Sequence, residues 1–282
     1  MNVKILKVAL GLLMIGIIAV ASVAVFNRQS SVAPIVEAKG NEKNGKALFV
    51  VIEYNHWAMV VGADTPTFAL YDDGTVIYWK KEDRGGKYVS AKLTNSEVSQ
   101  ILERVNPEAF VSLERRYEPA RGFSHAPETL MVLQQKDGSY QEVYVFGSIK
   151  REEDGSNPRG IPNLLPDIFQ FITTYHNANA TEWVPDSIEV MVWPYEYAPD
   201  TDLIWPKGWP GLDDSRTVKK DDFYSIYLEK AQLGELKLFV EKRRERQAVR
   251  ISGRKWAVDA RLPFPQEKIW RDIKFKLENG SE

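Results

Sequence analysis

Apolar and polar positions alternate along much of this chain, the period-2 mark of strands with one buried face, and three stretches switch to helical spacing. Ala47 to Tyr54 is nearly all apolar and predicts a buried first strand. Phe68 to Tyr71 and Thr75 to Tyr78 flank Asp73-Gly74. An Asp-Gly pair between β-rich runs predicts a hairpin, because both residues tolerate positive φ. Lys87 to Leu93 predicts a further short strand, and Thr94 with Glu97 forms a capping box. The helix it starts carries Val98, Ile101, Leu102 and Val105, with Pro107 beyond its end. Thr129 to Phe146 predicts a second hairpin, turning at Asp137-Gly138, and Glu152 to Arg159 a polar loop. Leu164 to Tyr175 predicts a helix with Leu164, Ile168, Phe171, Ile172 and Tyr175 on one side. Ile188, Val190 and Val192 alternate with Glu189 and Met191, so Ser187 to Trp193 reads as a strand whose ladder stops, or sits on an edge, at Pro194. Phe223 to Leu228 predicts a strand, and Ala231 to about Glu245 a helix with Leu233, Leu236, Phe239 and Val240. Ala248 to Ile251 and Lys255 to Leu262 form a hairpin around Ser252-Gly253. Ile273, Phe275 and Leu277 alternate, so Arg271 to Leu277 predicts a strand that closes the sheet. Helices set between hairpins point to an α+β fold with mainly antiparallel sheets.

Leu93, Val98 and Ile101 recur as Leu228, Leu233 and Leu236, each set marking a strand that runs into a helix and is followed by a hairpin. The division that follows is residues 1–28 as anchor or signal, 29–46 as tether and 47–180 as an α+β module. Residues 181–222 then form a Trp/Pro-rich connection and 223–282 a second strand–helix–hairpin module, either separate or sharing one sheet with the first. The run from Phe68 to Phe146 resembles bacterial cell-envelope domains of unknown function, which pair an aspartate-glycine hairpin with a capped helix and a second hairpin. That resemblance covers under a third of the chain and implies an envelope setting, with no activity and no site residue to transfer.

Trp183 to Leu212 holds four of the eight tryptophans and five of the fifteen prolines. Past Pro194 it has no period. Trp205-Pro206 and Trp209-Pro210 bracket Lys207 and Gly208. Each buried Trp removes roughly 150–250 Å² from water, so an aromatic loop of this kind packs over a sheet or serves as a platform. On the second reading Tyr195, Tyr197, Trp205 and Trp209 are the ligand-binding residues, for a glycan, peptide or protein partner.

Val8 to Phe26 changes the picture more than composition does. These nineteen residues carry no charge, Lys4 and Lys7 precede them and Arg28 follows. A helix of that length spans about 28 Å, close to the hydrocarbon thickness of a bilayer. The run predicts one N-terminal transmembrane helix, with the preceding lysines favouring an extracytoplasmic body. Ala19 to Ala21 and Ser22 to Ala24 have the small-x-small form of a cleavage site, so a cleaved signal and a secreted or periplasmic body form the alternative. With no cysteine the body relies on its core, without disulfides or thiol chemistry. A formal net charge of −2 carries no nucleic-acid signature, and the one basic cluster, Lys242-Arg243-Arg244 with Arg246, Arg250, Arg254 and Lys255, lies where a helix should end and reads as a solvated face.

No cofactor or metal site is expected: His56, His125 and His176 lack ligand spacing, and the Asp pairs lack the alternation of a calcium loop. Gly122 to Ala126 imitates a nucleophile elbow without the strand before it and helix after it. Ser252 and Lys255 have serine–lysine spacing but fall in a predicted turn. The expectation is therefore a membrane-anchored, non-enzymatic binding module. Its alternative is an envelope hydrolase whose site is assembled from scattered carboxylates and His125.

Overall fold

The computed structural model describes residues 45–54, 65–83, 85–123, 125–220, 223–244 and 246–279. Val8 to Phe26, nearly all of the tether, His56 and Ser124 lie outside the described residues. The strands of the first sheet are β1 (Ala47–Tyr54), β2 (Phe68–Tyr71), β3 (Thr75–Glu82), β4 (Gly85–Lys92), β5 (Arg116–Tyr117), β6 (Glu128–Gln134), β7 (Tyr140–Phe146) and β8 (Thr181–Glu182), in the order β5-β7-β6-β1-β2-β3-β4-β8. The second sheet joins β9 (Ser187–Pro194), β10 (Leu203–Ile204), β11 (Thr217–Lys220), β12 (Phe223–Glu229), β13 (Val249–Ile251) and β14 (Arg254–Arg261), in the order β10-β13-β14-β9-β12-β11. Among the described residues only the two-residue contacts β5–β7 and β10–β13 are parallel. Among the described residues five α-helices complete an α+β fold: α1 (Asn95–Val105), α2 (Pro107–Val111), α3 (Leu164–Thr173), α4 (Leu233–Lys242) and α5 (Lys268–Asn279).

Local chemistry accounts for the turns. Gly74 has φ +81°, and an added Cβ would lie 2.5 Å from the Leu93 carbonyl oxygen, so this hairpin needs glycine for both conformation and space. Thr94 caps α1 in both directions: its hydroxyl accepts from the Glu97 backbone N–H, and its own N–H donates to the Glu97 carboxylate at 2.8 Å.

The first sheet is covered on both faces. Phe49, Val51, Phe68, Leu70, Val76, Tyr78, Met131, Leu133, Val143 and Val145 meet Ile101, Val105, Phe110, Leu165, Ile168 and Ile172 from α1, α2 and α3. The opposite face, with Val50, Ile52, Ala69, Tyr71, Ile77, Leu130 and Val132, lies under Phe264, Trp270, Ile269, Ile273 and Leu277. Tyr71 donates to the Pro265 carbonyl at 3.0 Å and anchors this return of the chain.

Arg271–Leu277 is therefore helix, not the predicted closing strand. Ile269, Trp270, Ile273 and Leu277 recur at helical spacing and pack, while Phe275 is exposed. The alternation that suggested a strand was a seven-residue coincidence. In α3 the buried residues are Leu165, Pro166, Ile168, Phe169 and Ile172; Leu164, Phe171 and Tyr175 pack at its margin. A single shared sheet gives way to two. β8 belongs to the first sheet and β9 forms the middle of the second, so residues 181–222 supply strands to both. The strand–helix–hairpin order recurs, but β1 pairs with the first strand of its hairpin, β6, and β9 with the second, β14.

One face of the second sheet packs Ile188, Val190, Val192, Ile226, Leu228, Trp256 and Val258 against Leu236 and Phe239 of α4. The other face carries Glu189, which alternation placed outward and which is buried. Arg261 donates to Glu189 at 2.8 Å and to Glu267 at 2.7 Å, and Ser225 also donates to Glu189. A buried charge survives only when paired and hydrogen-bonded, and here one guanidinium serves two carboxylates, with Arg271 at 3.4 Å from Glu267.

Candidate functional site

Three chain segments meet at one end of the first sheet: the C-terminal end of β1, the N-terminal end of β6 and the residues leaving β7. Glu53 pairs with Thr129 and Tyr54 with Glu128 across β1 and β6. Alternation puts Glu53 and Thr129 on the helix-covered face and Tyr54 and Glu128 on the opposite one. A cleft of about 420 Å³ wraps this end, lined by polar groups of Glu53, His125, Glu128, Thr129, Ser148 and Lys150 and by apolar surface of Pro127, Ile149 and Phe169.

Gly147 sets the shape of one wall. Its φ is +131°, and a Cβ there would stand 2.7 Å from Pro119 Cγ and 2.9 Å from the Ala120 nitrogen. The 118–127 segment can thus lie directly on the end of β7, held by Gly147 N–H to the Pro127 carbonyl at 2.8 Å and Ala120 N–H to the Phe146 carbonyl at 3.2 Å. On the other side Lys150 Nζ sits 5.8 Å from the centre of the Phe169 ring, and α3 carries that ring.

Burial holds the Glu53 carboxyl above the usual glutamate range, and Lys150 opposes part of that shift. The cleft therefore places an acid and a base close enough to feel each other, over an apolar floor. Its volume falls in the range of small-molecule sites, roughly 300–1,000 Å³. Among the described residues no group of three His, Cys, Asp or Glu is placed to hold a metal ion.

The four aromatic candidates from the Trp/Pro stretch have separate fates. Trp205 is 8 % exposed and donates from Nε1 to the Pro210 carbonyl at 3.0 Å. Trp209 is half-buried, stands edge-on to Trp205 with ring centres 4.9 Å apart, and donates to Glu235 at 3.2 Å. Both rings also meet Phe239 of α4. Tyr195 is half-buried and Tyr197 is 97 % exposed. The set thus comprises a packed tryptophan pair, a half-buried Tyr195 and one open ring at Tyr197.

His125 lines the cleft, as does the pair of carboxylates Glu53 and Glu128 that sequence reasoning did not single out. Glu53 is the one charged residue in a strand of otherwise apolar residues, which was the available signal; its neighbours come from positions some seventy and a hundred residues away. The segment around Gly122 joins β5 to β6 with no helix after it, and Ser252 and Gly253 form the turn between β13 and β14 at φ +48° and +81°. The turn at Ser252 is not an arrangement that activates a nucleophile, and Ser124 lies outside the described residues. No protein-family model, no curated protein and no solved structure matches this chain, so the cleft is read from its own residues.

Proposed function

We propose that this chain is a binding module held at a membrane by Val8 to Phe26, with an extracytoplasmic body whose ligand seat is the cleft at the end of β1 and β6. The observation that carries the reading is the cleft's combination of Glu53 and Lys150 with the apolar floor of Phe169 and Ile149. Opposite charges at one small site fit a ligand that is itself zwitterionic, of amino-acid or dipeptide size. The carboxylate of Glu53 takes the ammonium, Lys150 takes the carboxylate, and the side chain lies on the floor. Supporting the location are the uncharged length of Val8 to Phe26, the lysines before it and the envelope-domain resemblance of Phe68 to Phe146. Retention of the full chain in the membrane fraction through alkaline extraction supports the anchor; a mature N-terminus near Ser22 or Val25 replaces it with a secreted body.

The test of the seat is a melting-temperature screen of the full chain with amino acids and dipeptides, beside simple amines and simple carboxylates. A ligand at a hundred times its Kd contributes about 2.7 kcal/mol, or about 5–10 °C for a body of this size. The expected result is such a shift from a zwitterion, absent in Glu53→Gln and in Lys150→Met. No shift from any zwitterion, or one that survives both substitutions, contradicts the reading. Glu53 also supports a second reading, since a carboxyl whose pKa burial raises, lining the same cleft as His125, can serve as a general acid. Turnover of a dipeptide or ester that disappears in Glu53→Gln turns the module into a hydrolase.

A further inference from the structure

Three rings lie in line across the β3–β4–β8 edge of the first sheet. Trp79 on β3 and Tyr88 on β4 are cross-strand partners. The pairing of Ser90 with Thr181 brings Trp183 opposite Tyr88, and the Trp183 N–H donates to the Tyr88 carbonyl at 2.9 Å. Tyr88 stands edge-on to Trp79 with ring centres 5.0 Å apart. Phe264 braces the row from the side, 5.2 Å from Tyr88 and 4.7 Å from Trp183 between ring centres. Phe264 is buried and Tyr88 and Trp183 are half-buried, whereas Trp79 is 43 % exposed. Gly86 is the bed on which the Trp79 ring rests. A Cβ there would stand 2.6 Å from Cε2 and 2.7 Å from Cζ2 of the indole, so any larger residue displaces the ring. One tryptophan is thus backed by a glycine, fixed by an edge-on tyrosine and open on its remaining side.

We propose that Trp79 is the stacking platform of a second ligand seat, for a neutral glycan whose sugar ring lies on the open side of the indole. The surroundings of the ring select this occupant. An acyl chain or a protein patch is held by contiguous apolar surface of several hundred Å². Here the open apolar surface is a partly exposed indole with a half-buried neighbour, and Ile77, the aliphatic residue beside Trp79 on this face of β3, is buried. Lys81, two residues on along the same face, is exposed and opposes a cationic ligand. The exposed carboxylates Glu82 and Asp83 at the end of the strand oppose a nucleic acid. A sugar ring offers a flat C–H face to the negative face of the indole and carries hydroxyls around its rim. Ser90 and Thr181, which pair on the face that Tyr88 occupies, supply hydroxyls beside the row. None of these residues lines the cleft, so the seat stands independently of the zwitterion site.

The test is titration calorimetry of the full chain in mild detergent with neutral hexasaccharides of β-linked glucose, α-linked glucose and β-linked N-acetylglucosamine. Binding of one of them is expected, weakened about 10-fold in Trp79→Ala and largely kept in Trp79→Phe. Gly86→Ala, which lifts the indole from its bed, should weaken it as well. A second measurement needs no substitution: the bound hexasaccharide should protect Trp79 from hydroxyl-radical oxidation, located by mass spectrometry. Binding by none of the three sugars, binding unchanged in Trp79→Ala, or oxidation of Trp79 unaffected by bound sugar overturns the proposal. Protection of Trp79 by phosphatidylcholine vesicles in the absence of sugar assigns the ring to a bilayer and overturns it as well. An excess of alanylalanine should leave sugar binding in place. Loss of sugar binding under that competition moves the sugar to the cleft and overturns the second seat.

Discussion

Trp205 and Trp209 sit four residues apart in the same loop and differ in what their loss should do. Trp205 is buried with its indole N–H satisfied, so Trp205→Ala is expected to cost about 3–5 kcal/mol, as for other large-to-small core changes. Trp209 is half-buried and its truncation should cost distinctly less; urea unfolding of the two variants makes the comparison. Arg261 and Arg254 form a similar contrast. Arg261→Met strands Glu189 and Glu267 in the interior and is expected to cost about 3–5 kcal/mol. Arg254→Met removes an exposed pair with Glu196 and should change stability by about 1 kcal/mol or less. Equal losses from the two would mean that the Arg261 cluster is open to water. Alternation at residues 188–192 told which residues share a face with Glu189, but not what partners it, because its cross-strand neighbour Arg261 on β14 and the Glu267 that shares this guanidinium come from some seventy residues later. The cleft was hidden for the same reason: Glu53 meets Glu128 and Lys150 only through strand pairing of long sequence separation.

Elements whose geometry is decided within a few residues were legible. Asp73-Gly74, Asp137-Gly138 and Ser252-Gly253 all turn where their chemistry predicts, and the Thr94–Glu97 box starts its helix. Gly74→Ala tests how tightly one such turn is determined. The left-handed φ and the 2.5 Å approach to Leu93 both oppose a methyl group, so a loss greater than the roughly 1 kcal/mol expected from conformation alone should appear in a thermal melt. A neutral result would show that the hairpin can shift away from Leu93. Arg271 to Leu277 was not legible, since Ile273 and Leu277 fit both periods and the residues that decide, Ile269 and Trp270, lie just upstream. The strand at Ser187 was recognised, but its place in the middle of a second sheet depends on β12 and β14, which local pattern does not reveal.

At the scale of the molecule, the C-terminal segment joins the parts. After β14 leaves the second sheet, residues 263–279 cross to the first sheet and cover its outer face with Phe264 and Trp270. Ending the full chain at Leu262 should therefore expose a broad apolar face and cause aggregation, measured by light scattering. A chain that stays monomeric with an unchanged melting temperature would show that this cover is dispensable. The same sheet, closed on both faces, leaves a cleft at its end, where loops meet and Glu53 is half-withdrawn from water. The most direct measurement of the cleft's role is the pH dependence of zwitterion affinity, taken by calorimetry with the dipeptide identified by melting temperature. An ammonium is held by ionised Glu53, so affinity should rise as pH rises through the Glu53 pKa. Because burial raises that pKa, the midpoint should lie above the ordinary value of about 4.3. In Glu53→Gln the step should vanish and the affinity should stay low. A flat profile in the unaltered chain, or a step that persists in Glu53→Gln, would contradict the account.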